Sequence, residues 1–261
     1  MSYKKSLSYK SFIKSRYKSF KHSSYFEVYD ELFLKYRNKK ITFIEIGVLS
    51  GGSLFMWRNF FGSKARIIGI DLNPKAKKWT KHGFEIFIGD QSDPNFWIKL
   101  KNKIGQIDII LDDGGHRYID QITTIECMLK NIKNTGIIVV EDTHTSYIDG
   151  FGNKKYSLIN YIKKKIDKIN YRSHRIKKEY ESTIWSLKIY ESIVAIEVKN
   201  FKKLPKSLLI KNRGIDDKSK DIRIEKNMIT KNDNLLGRIL NKSNALRLEK
   251  KADTLLKKYF Q

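Results

Sequence analysis

Two apolar runs in this chain stop on paired carboxylates and are followed by a histidine: LDDGGH at 111–116 and VVEDTH at 139–144. If the fold brings the two endings together, Asp112, Asp113, Glu141 and Asp142 share one rim. Four carboxylates so placed repel, and each holds its proton more tightly unless a cation sits among them. Oxygen donors with no cysteine nearby suit a hard ion: magnesium, manganese or calcium. Neighbours in a strand point to opposite faces, so one acid is expected to face away. Asp112 is that residue, capping the next helix or serving the cofactor side. A hydroxyl beside a cation gives up its proton more readily, and a neutral imidazole can accept it near pH 7. His116, three residues past Asp113, is the expected base. His144, with Tyr147 nearby, is expected only to touch the acceptor.

A second group of residues suits a nucleoside-bearing cofactor. FIEIGVLSGGS at 43–53 is a β-rich run ending in a glycine turn. Gly47, Gly51 and Gly52, followed by Ser53, let backbone approach a ligand closely. Asp71 ends a second β-rich run about 20 residues on, where an acid meets ribose hydroxyls in doubly wound folds. A third run ends at Asp90 and Gln91, suited to the purine side of an adenosine. Glu45 lies just before the turn, where it could face a cationic amino-acid end or a sulfonium. No GxGxxG is present to cradle a pyrophosphate, so S-adenosylmethionine is expected rather than NAD.

Five short apolar runs must position these residues: 41–47, 65–72, 84–90, 107–113 and 136–142. Strands buried on both faces read as continuous apolar runs, and strands alternating with helices imply a parallel sheet. One helical pattern runs through Ile119, Ile122, Ile125, Leu129 and Ile132 and is closed by Gly136. Another covers 24–37, with Tyr25, Val28, Leu32, Phe33 and Tyr36 on one face. At 184–199 two apolar runs flank Glu191 and Ser192 with no room for a crossover, so an antiparallel hairpin is expected. The expected architecture is α/β: a Rossmann-like, mostly parallel sheet of class I methyltransferase type, ended by an antiparallel hairpin, with helical additions at both ends. The expected divisions are a basic lead and helix at 1–40, a cofactor-binding catalytic domain at 41–200, and a polar loop with C-terminal helices at 201–261. Those helices are expected to pack on the domain or on a second copy of the chain.

The chain has 261 residues and a net charge of +25. Abundant lysine, isoleucine and asparagine fit a general AT-rich coding bias, and the lysines are scattered over every expected helix. A solvated basic surface is therefore expected rather than a nucleic-acid footprint, since charge alone gives only non-specific attraction. The single cysteine, Cys127, excludes an internal disulfide framework. No apolar run reaches eighteen residues, and the start lacks the apolar core of a signal peptide. A cytoplasmic protein is expected.

IEIGVLSGGSLFMWRNFF, GIDLNP, DDGGHRYIDQ and GIIVVEDTHTSY, in that order, resemble the macrocin O-methyltransferase family and its relatives annotated with cephalosporin hydroxylases. The resemblance covers roughly 25–200. It implies a metal-dependent, S-adenosylmethionine-using O-methyltransferase. It further implies Asp113, Glu141 and Asp142 as metal ligands, with magnesium or manganese the expected ion, and His116 as base. Gly115 stands where relatives often carry serine. The implied acceptor is a sugar, free on a nucleotide or within a bacterial surface glycan such as capsule or O-antigen. Two alternatives predict different behaviour: an RNA methyltransferase would bind RNA with steep salt dependence, and a non-catalytic surface-associated scaffold would not bind the cofactor.

Overall fold

The computed structural model describes residues 3–170, 184–199 and 210–215. The C-terminal helices expected within 201–261 lie outside them. The chain divides into two units, 1–207 and 208–261, and the first carries everything described below.

Seven strands form one sheet. They are β1 (Thr42–Ile46), β2 (Arg66–Asp71), β3 (Glu85–Ile88), β4 (Ile107–Asp112), β5 (Ile132–Val140), β6 (Ile184–Tyr190) and β7 (Ile193–Val198). Their order is β3-β2-β1-β4-β5-β7-β6. The first five pair in parallel, and β7 is antiparallel to both β5 and β6. The sheet therefore ends in the expected hairpin, which turns at Glu191 and Ser192. The strand order reverses direction at β1 and β4, the place where open α/β sheets hold ligands.

Among the described residues, six α-helices accompany the sheet: α1 (Leu7–Ile13), α2 (Tyr25–Phe33), α3 (Gly52–Phe61), α4 (Pro94–Ile104), α5 (Tyr118–Met128) and α6 (Leu158–Ile169). Strand parity divides the core in two. Phe43, Ile67, Ile109, Leu111, Ile137 and Val139 pack under α2 and α3. Ile44, Ile68, Ile110, Ile138 and Val140 pack against α4, α5 and α6. The first layer is aromatic-rich, with Tyr29, Phe33, Phe43, Trp57 and Phe61 in mutual ring contact.

The expected helix through Ile132 needs correction. α5 stops at Met128, and Ile132 opens β5 by pairing with Ile107. Gly136 is thus a strand residue, not a helix cap. A Cβ there would come within 2.5 Å of the Ile132 side chain, so a glycine inside the strand lets it bend past its own start. Ile119, read as part of the buried face, is 56% exposed.

The basic N-terminal lead is also structured. α1 has its first amides capped by a distant acid: Asp30 accepts from Leu7 N at 2.6 Å and Ser8 N at 2.8 Å. A carboxylate at a helix N-terminus satisfies amides that have no partner within the helix. Residues 14–24 then run across the sheet's carboxyl edge. Ser15 Oγ donates to Gly52 O at 2.7 Å, and Ser50 Oγ donates to Lys18 O at 2.8 Å. A Cβ on Gly52 would lie 2.4 Å from Tyr17 O and 2.2 Å from Lys18 O, so only glycine admits the segment.

Candidate functional site

The carboxyl ends of β1, β2 and β4 open into a cavity of roughly 730 Å³, within the usual size of a small-molecule site. Gly47, Gly52, Ser53, Asp71, Asp90, Gln91, Asp113 and His116 line it, and Ser19, Phe20 and Lys21 of the N-terminal segment close one side. Of the residues expected at the cofactor, Glu45, Gly51 and Asp112 do not reach this wall. Gly51, at φ +78°, packs against the Trp79 ring.

Asp71 organises the turn as well as facing the cavity. Its Oδ2 accepts from the amides of Val48 and Leu49, both at 2.9 Å, and its Oδ1 accepts from Asn73 N at 2.8 Å. One acceptor site remains on Oδ1 for a ligand hydroxyl. Asp90 is held by the amide and hydroxyl of Ser92, which lower its pKa. Gly47, at φ +88°, allows the β1 turn to touch the β4 turn, since a Cβ would sit 2.1 Å from Asp113 O.

Asp112 and Asp113 part company by strand parity. Asp112 continues the face of Ile110, toward α5. Gln91 Nε2 donates to both its oxygens at 3.1 Å, and Gly114 N donates at 3.2 Å. Gln91 Oε1 in turn accepts from Gly115 N at 2.8 Å. The pair thus braces the DDGG turn. Burial raises the Asp112 pKa to about 6, against the pull of these donors.

Asp113 continues the face of Leu111, and Glu141 that of Val139. Glu45, on the neighbouring β1, has the parity of Phe43. Three acids on three adjacent strands therefore face the layer under α2 and α3. Glu45 is fully buried and accepts from Ser53 Oγ at 2.8 Å and Trp57 Nε1 at 3.0 Å. Burial raises its pKa to about 7.

A cation already stands among these acids, and it belongs to the chain. Lys21 Nζ lies 2.6 Å from Asp113 Oδ2 and 2.7 Å from Glu141 Oε2, with only 2% of its side chain exposed. Burial alone would lower its pKa, but Asp113, Glu141 and Glu45 together outweigh burial and raise it. The other oxygen of Glu141 accepts from the buried Tyr29 hydroxyl. Burial pushes the Glu141 carboxyl upward, whereas the ammonium pulls it down. The 2.7 Å contact is a charged pair, so the ammonium governs while Lys21 is seated.

Asp142 takes another course. Its φ of +54° is in the left-handed region, which turns its side chain out of the strand register. One oxygen accepts from Tyr25 Oη, and the other is 3.5 Å from His116 Nε2. His116 is itself at φ +58°, and its buried Nδ1 has no partner among the described residues. Leu49, at φ +45°, is a third such residue on the same rim. Non-glycine residues in this region are costly and gather at functional sites. One donor atom each from Asp113, His116 and Asp142 lie within 4.8 Å of one another, close enough to hold a metal ion. Glu141 is not in that set, and its two oxygens are met by Lys21 and Tyr29.

His144 stands apart, its Nδ1 2.9 Å from Ser192 Oγ and its ring beside His22. Tyr147 is 70% exposed. Neither lines the cavity. Sequence reasoning missed Lys21, Tyr25 as an acid's partner, and Tyr29. Tyr25 was legible only as part of an apolar helix face, and Lys21 as one of 53 basic residues.

A family profile described as a methyltransferase domain matches residues 44–143. The chain is 34% identical over 131 residues to demethylmacrocin O-methyltransferase of Streptomyces fradiae, covering 48% of this chain and 33% of that protein. It is 29% identical over 191 residues to mycinamicin VI 2''-O-methyltransferase of Micromonospora griseorubida, covering 65% of this chain and 46% of that protein. Among solved structures it resembles the MycE methyltransferase of the mycinamycin biosynthetic pathway in complex with Mg, SAH and mycinamycin VI. The TM-score is 0.66 at 28% identity, over 74% of this chain and 53% of that one. The chain thus spans between a third and about half of the relatives it matches. Residues 44–143 thus match a methyltransferase domain, and the chain is similar to the demethylmacrocin and mycinamicin VI O-methyltransferases over part of their length.

Proposed function

We propose that the chain transfers a methyl group from S-adenosylmethionine to a sugar hydroxyl with the help of a divalent cation. The observation carrying this reading is a single rim. On it the cofactor-sized cavity, the Asp113–His116–Asp142 cluster and the Glu141 carboxylate meet at the ends of β1, β4 and β5.

The residues fit both absent groups. The cavity wall carries an acid at Asp71, glycines at Gly47 and Gly52, and the buried, unpartnered Ser19 Oγ. These suit a nucleoside with a polar amino-acid end. Asp71 would accept from its ribose, and Asp90 would meet its base. Carboxylates and an imidazole suit magnesium or manganese. Asp113 and Asp142 would hold the ion with Glu141 completing the set, leaving His116 Nε2 free for a proton. When bound, the ion would acidify an acceptor hydroxyl and the sulfonium would supply the methyl group. His116 would take the proton at Nε2, and Asp142, 3.5 Å away, would stabilise the resulting imidazolium. His144 and Tyr147 lie on the outer rim, where an extended acceptor would pass.

We read the sugar as part of a bacterial surface glycan, carried on a nucleotide or in the polymer. The +25 charge suits an anionic carrier such as a diphosphate. Incubation with methyl-deuterated S-adenosylmethionine, manganese and a panel of nucleotide-sugars, glycan oligomers and macrolide glycosides tests this. A labelled methyl ether on a nucleotide-sugar or glycan supports the reading. Labelling of the macrolide glycosides alone moves the acceptor to that class, and no labelling of any sugar refutes it.

A further inference from the structure

We propose that Lys21 is the resident cation of the Asp113–Glu141 pair, and that a divalent ion gains those two carboxylates only by displacing it. The inference rests on the metal-assisted reading above. Lys21 reaches 92 residues along the chain to Asp113 and 120 to Glu141, and is buried on arrival. Its ammonium bridges Asp113 Oδ2 and Glu141 Oε2, as an ion between two ligands would. An ion coordinated by the same oxygens would stand within an ion-pair distance of the ammonium, with little water to screen the repulsion.

Displacement has a structural consequence, because Lys21 does not sit alone. The segment that carries it is fastened to the glycine turn by Ser15 Oγ to Gly52 O and Ser50 Oγ to Lys18 O. Residues 19–21 form one wall of the cavity. Withdrawal of Lys21 removes the segment's only buried charged anchor among its described contacts. The segment then loosens over the cofactor turn, and the wall at Ser19 and Phe20 opens. Ion binding and the closed N-terminal wall are alternatives, so the ion is a key to the cavity as well as a partner of the acceptor.

The test reads ion binding and backbone opening, not turnover. Mn²⁺ binding is measured by electron paramagnetic resonance on the wild-type chain and on Lys21→Met. Amide hydrogen exchange across 15–24 is followed in the wild type with and without saturating Mn²⁺. The expected results are at least ten-fold tighter Mn²⁺ binding by Lys21→Met and at least ten-fold faster exchange of the wild-type segment with the ion. If Mn²⁺ binds both proteins equally and the segment stays protected, the ion uses Asp113, His116 and Asp142 beside a seated Lys21. That result overturns displacement but leaves the metal reading intact. If neither protein binds Mn²⁺, both fall. Should Lys21→Met not fold, the wild-type exchange measurement decides alone.

Discussion

Asp112 and Asp113 are joined by one peptide bond and live in different chemistry. Asp112 faces the α5 side, where neutral donors surround it: an amide side chain, a backbone amide, and Thr124 bonded through the same Gln91. Asp113 faces the α2 side, where a lysine ammonium meets it at 2.6 Å. The first arrangement braces a turn. The second concentrates charge: Glu45, Asp113 and Glu141 share a face with one lysine. Polar groups can be buried cheaply when neutral donors satisfy them, but excess charge must be matched by charge. The braced side therefore reads as scaffold and the charged side as the place where a cation is handled.

The contrast is sharpest at His116, on the charged side. His116→Ala should cut turnover by about 10²–10⁴-fold, the usual worth of a general base, while cofactor affinity changes little. Asp112→Asn should be much milder than Asp113→Asn in the same assay. Equal losses for both aspartates would break the division into scaffold and cation side.

Lys21→Met leaves the buried Glu141 and the half-buried Asp113 carboxylates facing each other. Removing one partner of a buried ion pair costs about 3–5 kcal/mol, and urea unfolding of the metal-free chain should show a loss of that order. Saturating Mn²⁺ should restore part of it. Full stability without metal would mean that the carboxylates relax by taking up protons, and that Lys21 is not needed to hold them.

Glu45 gives the charged face a pH signature. Burial raises its pKa from 4.5 to about 7, so the folded chain holds this proton more tightly than the unfolded chain. Stability from this group is complete below pH 4.5 and is lost as pH rises through about 7. The loss is on the order of 3 kcal/mol. Glu45→Gln should flatten that part of the slope between pH 5 and 8 in urea unfolding. An identical slope in the variant would show that Lys21 keeps Glu45 ionised throughout.

Asp71 is the smallest expected effect. Asp71→Ala removes acceptors for the glycine turn and for the proposed ribose, and should weaken S-adenosylmethionine binding by about 1–3 kcal/mol. Unchanged affinity by calorimetry would reduce Asp71 to a brace for Val48 and Leu49, like Asp112 for its own turn.

The strands were legible in the sequence because β-branched, apolar runs buried on both faces leave a dense local signature. The expected run at 107–113 became Ile107–Asp112, and that at 65–72 became Arg66–Asp71. Ile132 and Gly136 were misassigned because an apolar residue three past Leu129 fits a helix face and a strand start equally well. Pairing with Ile107 across the sheet decides between them. The short helix Leu7–Ile13 had no capping acid in its own first turn, and Asp30 supplies one from another helix.

The sequence by itself determined the alternating α/β order, the hairpin, and the placement of acids at the ends of adjacent strands, because periodicity and residue type are local properties. Strand parity even separates Asp112 from Asp113 without coordinates. Only the tertiary structure decided which cation those acids meet. The chain has 53 lysines and arginines, and nothing near position 21 distinguishes one from the others. What selects Lys21 is the path of residues 14–24 across the sheet edge. That path is set by α1 packing beneath Asp30 and by the room that Gly52 leaves for the backbone of Tyr17 and Lys18. Charge pairing depends on distance through space, and that distance is fixed only when segments about a hundred residues apart are packed together.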